Sequence, residues 1–171
     1  ISYYGLSKLN AENSIIDSGI DYCIVRTVLL YGINKNKTRS NLLVWVKSSL
    51  ENQKTINVVY DQFRTPTLVY DFLDGLYRII LGNTKGIYHI SGKQNMSIID
   101  FAFHVAEVFE LDKGLIRPIT TLELEQPARR PLFGGFIISK AEKELGFQPF
   151  NVFDGLKVIK QEFETGKHPL N

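Results

Sequence analysis

The chain begins with a tyrosine and a lysine whose spacing could support acid–base chemistry. Tyr4 and Lys8 are four residues apart at the start of an amphipathic stretch, so a helix places both on one face. An ammonium one turn from a phenol stabilises the phenolate, and both groups can reach one ligand. A reaction that protonates a reduced carbonyl needs such a donor. The spacing also allows an ordinary alternative, in which Lys8 pairs with Glu12 on a solvated face and Tyr4 is half-buried.

Length and composition are typical of one soluble globular domain with a core. The 171 residues are 44% hydrophobic and carry a net charge of +2, which is too small to indicate a nucleic-acid partner. The basic cluster Lys35, Lys37 and Arg39 is typical of a solvated loop. No apolar run is long enough to span a membrane and no signal peptide is visible, so we expect a cytoplasmic protein.

Cysteine and histidine give no sign of a metal centre. The single cysteine, Cys23, excludes an internal disulfide and a cysteine-based metal site, and it predicts a buried thiol in a reducing compartment. His89, His104 and His168 are not at metal-ligand spacing, so they are expected to be structural or solvated. No metal site is predicted.

The periodicity of apolar residues predicts a mixed α/β order. A helix over 5–18, with Leu6, Leu9, Ile15 and Ile16 on its apolar side, leads into a near-continuous apolar run over 22–31. Such a run is typical of a strand covered on both faces, as in a parallel sheet, and the two elements would end a βαβ unit.

The rest of the chain continues the mixed order after a polar loop over 33–40. The elements predicted there are a helix over 41–51, a strand over 55–60, a turn over 61–67, a helix over 69–82 with Val69, Leu73, Leu76 and Ile80 on its apolar side, a strand over 86–92, a helix capped by Ser97 and Asp100, a helix over 139–145 and a last helix over 152–163. Residues 115–135 contain three prolines and are predicted to be irregular.

Five stretches resemble the extended short-chain dehydrogenase/reductase family, and they occur in that family's order. They are Tyr-Gly-x-Ser-Lys-x-x-x-Glu at 4–12, Arg-x-x-x-x-Tyr-Gly at 26–32, Asp-x-x-x-x-Pro-Thr-x-x-x-Asp at 61–71, Gly-x-Tyr-His-x-Ser-Gly at 86–92, and Arg-Pro followed by Ser-Lys and Leu-Gly-Phe between 130 and 147. Within the family the chain most resembles the dTDP-4-dehydrorhamnose reductases and, more loosely, the NAD-dependent sugar epimerases and dehydratases. The Asp-Gln-x-x-x-Pro-Thr segment and the late Arg-Pro favour the reductases.

This resemblance implies an α/β fold made of the tail of a doubly wound, parallel Rossmann-like sheet and a small mixed α/β substrate-binding lobe. Residues 1–32 would end the NAD(P)-binding domain, and residues 33–171 would form the sugar-nucleotide lobe. In the family a glycine-rich phosphate loop and a catalytic Ser/Thr precede the tyrosine, so we expect the N-terminal cofactor-binding half to be absent here. The chain by itself should then bind NAD(P)H weakly and be inactive, and a homodimer is one way to cover its exposed apolar surface.

The resemblance also implies roles for single residues. Tyr4 would be the proton donor, and Lys8 would tune it and hold the ribose of NADP or NAD. Thr27 and Val28 would lie where the chain passes the nicotinamide, with ordinary strand packing as the alternative. Asn41 would bring an amide to the nucleotide sugar, although a plain helix N-cap explains this residue equally simply.

Two arginines would hold the substrate diphosphate. In related epimerases, arginines in the segments of Arg64 and Arg130 lie at the diphosphate, which a guanidinium can grip with two hydrogen bonds. The alternative for Arg64 is an ion pair with Asp71 or Asp74, and Arg129 could replace Arg130 in the same role.

Three functions remain open from the sequence. The first is reduction of a 4-keto sugar on dTDP by NAD(P)H, with a nucleotide-sugar substrate and neither nucleic acid nor membrane as a partner. The second is epimerisation or dehydration of a nucleotide sugar, in which the nicotinamide is recycled within each turnover. The third is a non-catalytic, reductase-like regulatory subunit, because a shared fold does not prove activity.

Overall fold

A computed structural model describes residues 2–33, 41–126, 128 and 130–166. The predicted basic cluster at 35, 37 and 39, together with Arg129 and His168, lies outside the described residues. Helices and strands follow one another as α1 Tyr3–Asp17, β1 Cys23–Arg26, β2 Leu30–Tyr31, α2 Leu42–Glu51, β3 Ile56–Val59, β4 Phe63–Arg64, β5 Thr67–Leu68, α3 Val69–Leu81, β6 Gly86–His89, β7 Met96–Ser97, α4 Ile98–Val108, a 3-10 turn Lys113–Leu115, β8 Ile116–Ile119, α5 Ser139–Leu145 and α6 Val152–Thr165.

The strands pair mainly in parallel, as the predicted α/β class requires. β1 lies parallel to β6, β2 to β5 and β3 to β8, whereas β4 and β7 are antiparallel. The pairing of β1 with β6 places Arg26 opposite His89. Parallel strands need crossover connections, and here helices of the intervening chain supply them.

The apolar run over 22–31 forms two strands, and the prediction of a single strand was wrong. β1 ends at Arg26, and the backbone turns at Leu29, whose φ is +48°. Thr67 causes the break, because its hydroxyl donates to the Val28 carbonyl at 2.7 Å and its backbone N–H donates to the Leu29 carbonyl at 3.1 Å. The chain therefore leaves β6 at Arg26 and joins β5 at Leu30, four residues later.

The segment predicted to be irregular contains a strand, β8, despite its proline. Pro118 lies opposite Val58 in the parallel pair of β3 and β8. Proline lacks a backbone donor, and a strand can accept it where that position faces away from the ladder, at an edge. The prediction of an irregular segment is therefore wrong over Ile116–Ile119.

Helices α2, α4 and α6 build the main core with β3 and β8. Phe101 is fully buried and makes an edge-to-face contact with Tyr31, with ring centroids 5.2 Å apart. The predicted cap of α4 is confirmed, because the Asp100 N–H donates to the Ser97 hydroxyl oxygen at 3.1 Å. The predicted helices over 41–51, 139–145 and 152–163 are also present.

Helix α3 turns a different face inward from the one its leucine spacing predicts. It buries Asp71, Gly75 and Ile79, while Leu73 and Ile80 are exposed. The cause is close approach at Gly75, where an added Cβ would lie 2.5 Å from a methyl group of Ile90. The glycine lets the helix sit directly on the chain after β6, and this rotates the apolar stripe outward.

Helix α1 buries no residue within the part of the chain that the structure describes. Its predicted apolar side is at least 39% exposed at every position, namely Leu6, Leu9, Ile15 and Ile16. Among the described residues, nothing covers this side of α1, although its apolar residues predict that it packs against another element.

Other expectations from the sequence concern Cys23, the histidines and the membrane. Cys23 is only partly buried, and desolvation raises the pKa of its thiol. His89 packs against Phe136, with ring centroids 4.4 Å apart, and the described residues contain no cluster of potential metal ligands. None of the described helices is long and apolar enough to cross a membrane.

Candidate active-site cleft

The predicted acid–base pair lies at the exposed start of α1. The Ser2 hydroxyl caps this helix by accepting a hydrogen bond from the Gly5 N–H at 3.2 Å, so helical geometry already holds at Tyr4. The Lys8 ammonium nitrogen lies 5.6 Å from the centroid of the Tyr4 ring, and Tyr4 is 70% exposed. Phenol and ammonium therefore share one face of the helix and are accessible to a ligand.

The alternative pairing of Lys8 with Glu12 was wrong. Glu12 instead receives hydrogen bonds from Arg26 at the end of β1: Nε lies 2.9 Å from Oε1 and 3.2 Å from Oε2, and Nη2 also bonds Oε2. This hydrogen bonding with Arg26 holds the pKa of the Glu12 carboxyl below its usual value.

Tyr4, Arg64 and Arg130 line one cleft of about 690 Å³, with Ser2, Tyr3, Ala128 and Pro131 completing its walls. These three residues come from α1, β4 and the segment before α5, which lie far apart along the chain. The cleft therefore has a phenol and two guanidinium-bearing side chains in its walls, and a guanidinium can bind an anionic group with two hydrogen bonds.

Arg64 is held by the segment that follows Arg130. Its Nη1 donates to the carbonyls of Phe63 and Leu132 at 2.6 and 3.2 Å, and its Nη2 donates to the Pro131 carbonyl at 2.9 Å and to Gln62 Oε1 at 3.2 Å. Burial and the positive charge of Arg130 lower the pKa of the Arg64 guanidinium. Arg64 thus shapes the wall of the cleft and adds positive charge to it.

Asp71 and Asp74 are both bonded to groups other than Arg64, so the alternative of an ion pair with Arg64 was wrong. Asp71 accepts a hydrogen bond from the Phe150 N–H at 3.1 Å, and Asp74 pairs with Arg78 at 2.7 Å. Arg130, in contrast to Arg64, makes no side-chain hydrogen bond within the described residues. Its charge is available to a ligand in the cleft.

A second cavity of about 320 Å³ adjoins Arg130 and is mostly apolar. Its walls include Leu29, Trp45, Val58, Val59, Gln62, Ile98, Leu124 and Gln126. The Gln126 side-chain oxygen is buried without a hydrogen-bond partner in the described part of the chain. Sequence reasoning missed this cavity, although one signal existed: Trp45 is the only tryptophan and does not share the buried side of α2.

Thr27, Val28 and Asn41 line neither of these two cavities. The hydroxyl oxygens of Thr27 and Thr67 lie 3.5 Å apart, and the Val28 carbonyl accepts a hydrogen bond from the same Thr67 hydroxyl. Both contacts agree with the alternative of ordinary strand packing. Asn41 caps α2 by accepting from the Val44 N–H at 3.1 Å, and it also donates to the Gly32 carbonyl at 2.8 Å. The N-cap interpretation of Asn41 is confirmed, and contact of these three residues with cofactor or substrate stays a prediction.

Comparison with known families identifies the fold. The family model described as the RmlD substrate binding domain matches residues 1–164. The chain belongs to this family. Membership agrees with the α/β architecture and the parallel strand pairs.

Individual relatives support the same assignment. A "probable low-salt glycan biosynthesis reductase Agl14" of Haloferax volcanii is 28% identical over 166 residues, which is 95% of this chain and 55% of the relative. Methionine adenosyltransferase 2 subunit beta of Rattus norvegicus is 27% identical over 125 residues, covering 70% of this chain and 37% of the relative.

A solved reductase has the same fold. The crystal structure of dTDP-4-dehydrorhamnose reductase from Bacillus anthracis in complex with NADP superposes with a TM-score of 0.83 at 28% identity, covering 93% of this chain and 55% of that chain. The chain therefore spans about half the length of these relatives or less. The fold is that of the Rossmann-like reductases.

Proposed function

We propose that this chain is the substrate-binding part of an NAD(P)-dependent oxidoreductase that reduces a 4-keto sugar linked to dTDP. The observation that carries the proposal is the cleft that Tyr4 shares with Arg64 and Arg130. A phenol supplies a proton, and two guanidinium groups balance the charge of a nucleoside diphosphate. Family membership supports the same reaction class.

In this proposal Tyr4 protonates the oxygen of the reduced carbonyl, and Lys8 stabilises the phenolate that remains. NADP or NAD, when bound, supplies the hydride. Both side chains suit a nearby cofactor ribose, because Tyr4 is exposed and Lys8 forms no ion pair within the described residues. Arg130 binds the diphosphate directly, while Arg64 holds the Pro131 and Leu132 carbonyls and so shapes the binding wall.

The second cavity suits the pyrimidine base of the same substrate. Arg130 lines both cavities, so a diphosphate bound to Arg130 would connect a sugar in the first cavity to a base in the second. Trp45 and Leu124 offer apolar surface to a planar ring. The unpartnered Gln126 oxygen can accept a hydrogen bond from the imide N–H of thymine, which would satisfy a buried acceptor.

The test uses the complete protein, expressed from its whole reading frame, with NADPH and a dTDP-linked 4-keto-6-deoxy sugar. Tyr4→Phe should lower kcat by about 10²–10⁴-fold, because it removes the proton donor and nothing else. Tyr3→Phe is the matched control, since Tyr3 lines the same cleft, and it should keep near-wild-type turnover. Near-wild-type turnover of Tyr4→Phe would overturn the role of Tyr4.

Cofactor stoichiometry separates reduction from its nearest alternative. A reductase consumes one NAD(P)H for each product molecule, whereas an epimerase or dehydratase consumes none because it returns the hydride within the same turnover. Absorbance at the nicotinamide band, followed together with product formation, therefore distinguishes the two reactions.

A second candidate is a non-catalytic subunit that binds another enzyme. It is favoured by the 27% identical relative named as a subunit of methionine adenosyltransferase. Co-purification of the complete protein with one partner in constant ratio, together with no NAD(P)H consumption on dTDP-linked keto sugars, would support this candidate. Turnover that depends on Tyr4 would exclude it as the sole role.

A further inference from the structure

Helix α1 carries the proposed proton donor, yet little holds it in place. It buries no residue, and the only side-chain hydrogen bonds that join it to another described element are those between Glu12 and Arg26. Arg26 is the last residue of β1, directly before Thr27. The position of α1 against β1 therefore depends on this bidentate ion pair. The Glu12 side chain is 20% exposed and the Arg26 side chain is 37% exposed.

Glu12 has a second potential partner, Lys8, on its own helix. Tyr4, Lys8 and Glu12 follow one another at intervals of four, so all three lie on one face of α1. A lysine and a glutamate at this spacing on a helix can pair, as Lys47 and Glu51 do on α2 at 2.5 Å. Glu12 instead pairs with Arg26, and the Lys8 ammonium stays beside the Tyr4 ring.

We propose that Arg26 is a positioning residue for the Tyr4–Lys8 pair: by holding the Glu12 carboxylate it fixes α1 to the end of β1 and leaves the Lys8 ammonium to the phenol and the cofactor. This inference rests on the proposed function for its catalytic consequence. The competition between Arg26 and Lys8 for Glu12 is a property of the chain itself. It can therefore be measured without any turnover.

The first experiment measures this competition by NMR titration of the Glu12 side-chain carboxyl in the chain. In Arg26→Met the Glu12 midpoint should rise, because its main stabilising hydrogen bonds are lost. Adding Lys8→Met to Arg26→Met should raise it further, by roughly half a pH unit, since Lys8 has become the partner. Lys8→Met with Arg26 intact should leave the midpoint unchanged. If Lys8→Met has the same effect in both backgrounds, the proposed competition is wrong.

The second experiment measures the consequence in the complete protein. Arg26→Met should lower kcat by roughly tenfold, because the released Glu12 now pairs with Lys8. Glu12→Gln alone should cost less, and the double variant Glu12→Gln/Arg26→Met should recover to the level of Glu12→Gln. A purely structural role of Arg26 predicts no such recovery, so a double variant no faster than Arg26→Met would overturn the proposal.

A matched control removes a comparable ion pair elsewhere. Arg78→Met breaks the pair of Arg78 with Asp74 on α3, which is 40% and 43% exposed, and it should change neither the Glu12 titration nor kcat. If the complete protein has no reductase activity at all, the proposed function fails while the titration still decides the competition for Glu12. The two failures are therefore distinguishable.

Discussion

Helices α4 and α1 show two opposite ways of placing side chains in this molecule. α4 has 11 residues and buries six of them against α2, α6 and β3, so packing fixes it on most sides. Among the described residues, α1 with its 15 residues buries none, and an ion pair links it to β1. One helix contributes stability and the other contributes chemical groups. Mutations in the two helices should therefore affect different measurements.

The largest effect should come from the packed helix. Phe101→Ala removes a fully buried ring that contacts Tyr31, and it should lower the free energy of unfolding by about 3–5 kcal/mol. Urea unfolding followed by circular dichroism measures this. Leu9→Ala on α1 is the control, and it should stay within about 0.5 kcal/mol because Leu9 is exposed. Equal losses in the two variants would show that the contrast between the helices is false.

The two arginines of the cleft should separate binding from shape. Arg130→Ala should weaken dTDP binding by about 1.5–3 kcal/mol, the range for a hydrogen bond to a charged group, and leave the unfolding midpoint unchanged. Arg64→Ala should weaken binding and also lower the midpoint, because the carbonyls of Phe63, Pro131 and Leu132 lose their donor. Calorimetric titration with dTDP and thermal unfolding measure both. If Arg64→Ala changes neither the dTDP affinity nor the unfolding midpoint, the structural role of Arg64 is wrong.

Asp71 should make the stability of the packed region depend on pH. Burial raises the pKa of Asp71 to about 7, well above its value of about 3.9 in an unfolded chain. Between about pH 4 and pH 7 the folded state therefore holds a proton on Asp71 that the unfolded chain has released. The stability that this proton contributes is fully present below about pH 4 and is lost as the pH rises to about 7.

Asp71→Asn should remove that dependence. The amide oxygen can still accept the Phe150 N–H and carries no charge, so the variant should be more stable than wild type at pH 8 by more than about 1 kcal/mol. Urea midpoints from pH 4 to 8 test this, with Asp17→Asn on the exposed helix α1 as the control. A parallel pH dependence in wild type and Asp71→Asn would contradict the assignment.

The smallest effect concerns the cofactor. The 171 residues contain no glycine-rich phosphate loop, so α1 alone would have to hold NADPH. We expect the chain by itself to bind NADPH no more tightly than about 1 mM. Isothermal titration measures this affinity, with NADPH injected into buffer as the blank. Micromolar binding would mean that the accessible Tyr4 and Lys8 suffice to hold the cofactor.

Several elements could be predicted because local chemistry decides them. Leu43, Val46 and Leu50 lie on one side of α2 and are buried, as their spacing predicts. The Ser97 cap also depends only on residues three apart. The break at Leu29 and the rotation of α3 could not be predicted, because Thr67 and Ile90 act from distant parts of the chain.

The sequence by itself determined the order of most elements and the pairing of Tyr4 with Lys8 on one helical face, since both follow from local periodicity. Only the tertiary structure decided which groups meet: Arg64 and Arg130 in the cleft with Tyr4, Arg26 on Glu12, and Gln126 and Trp45 in the walls of the second cavity. These partners are distant along the chain, and no local pattern selects among the many acceptors available to an arginine.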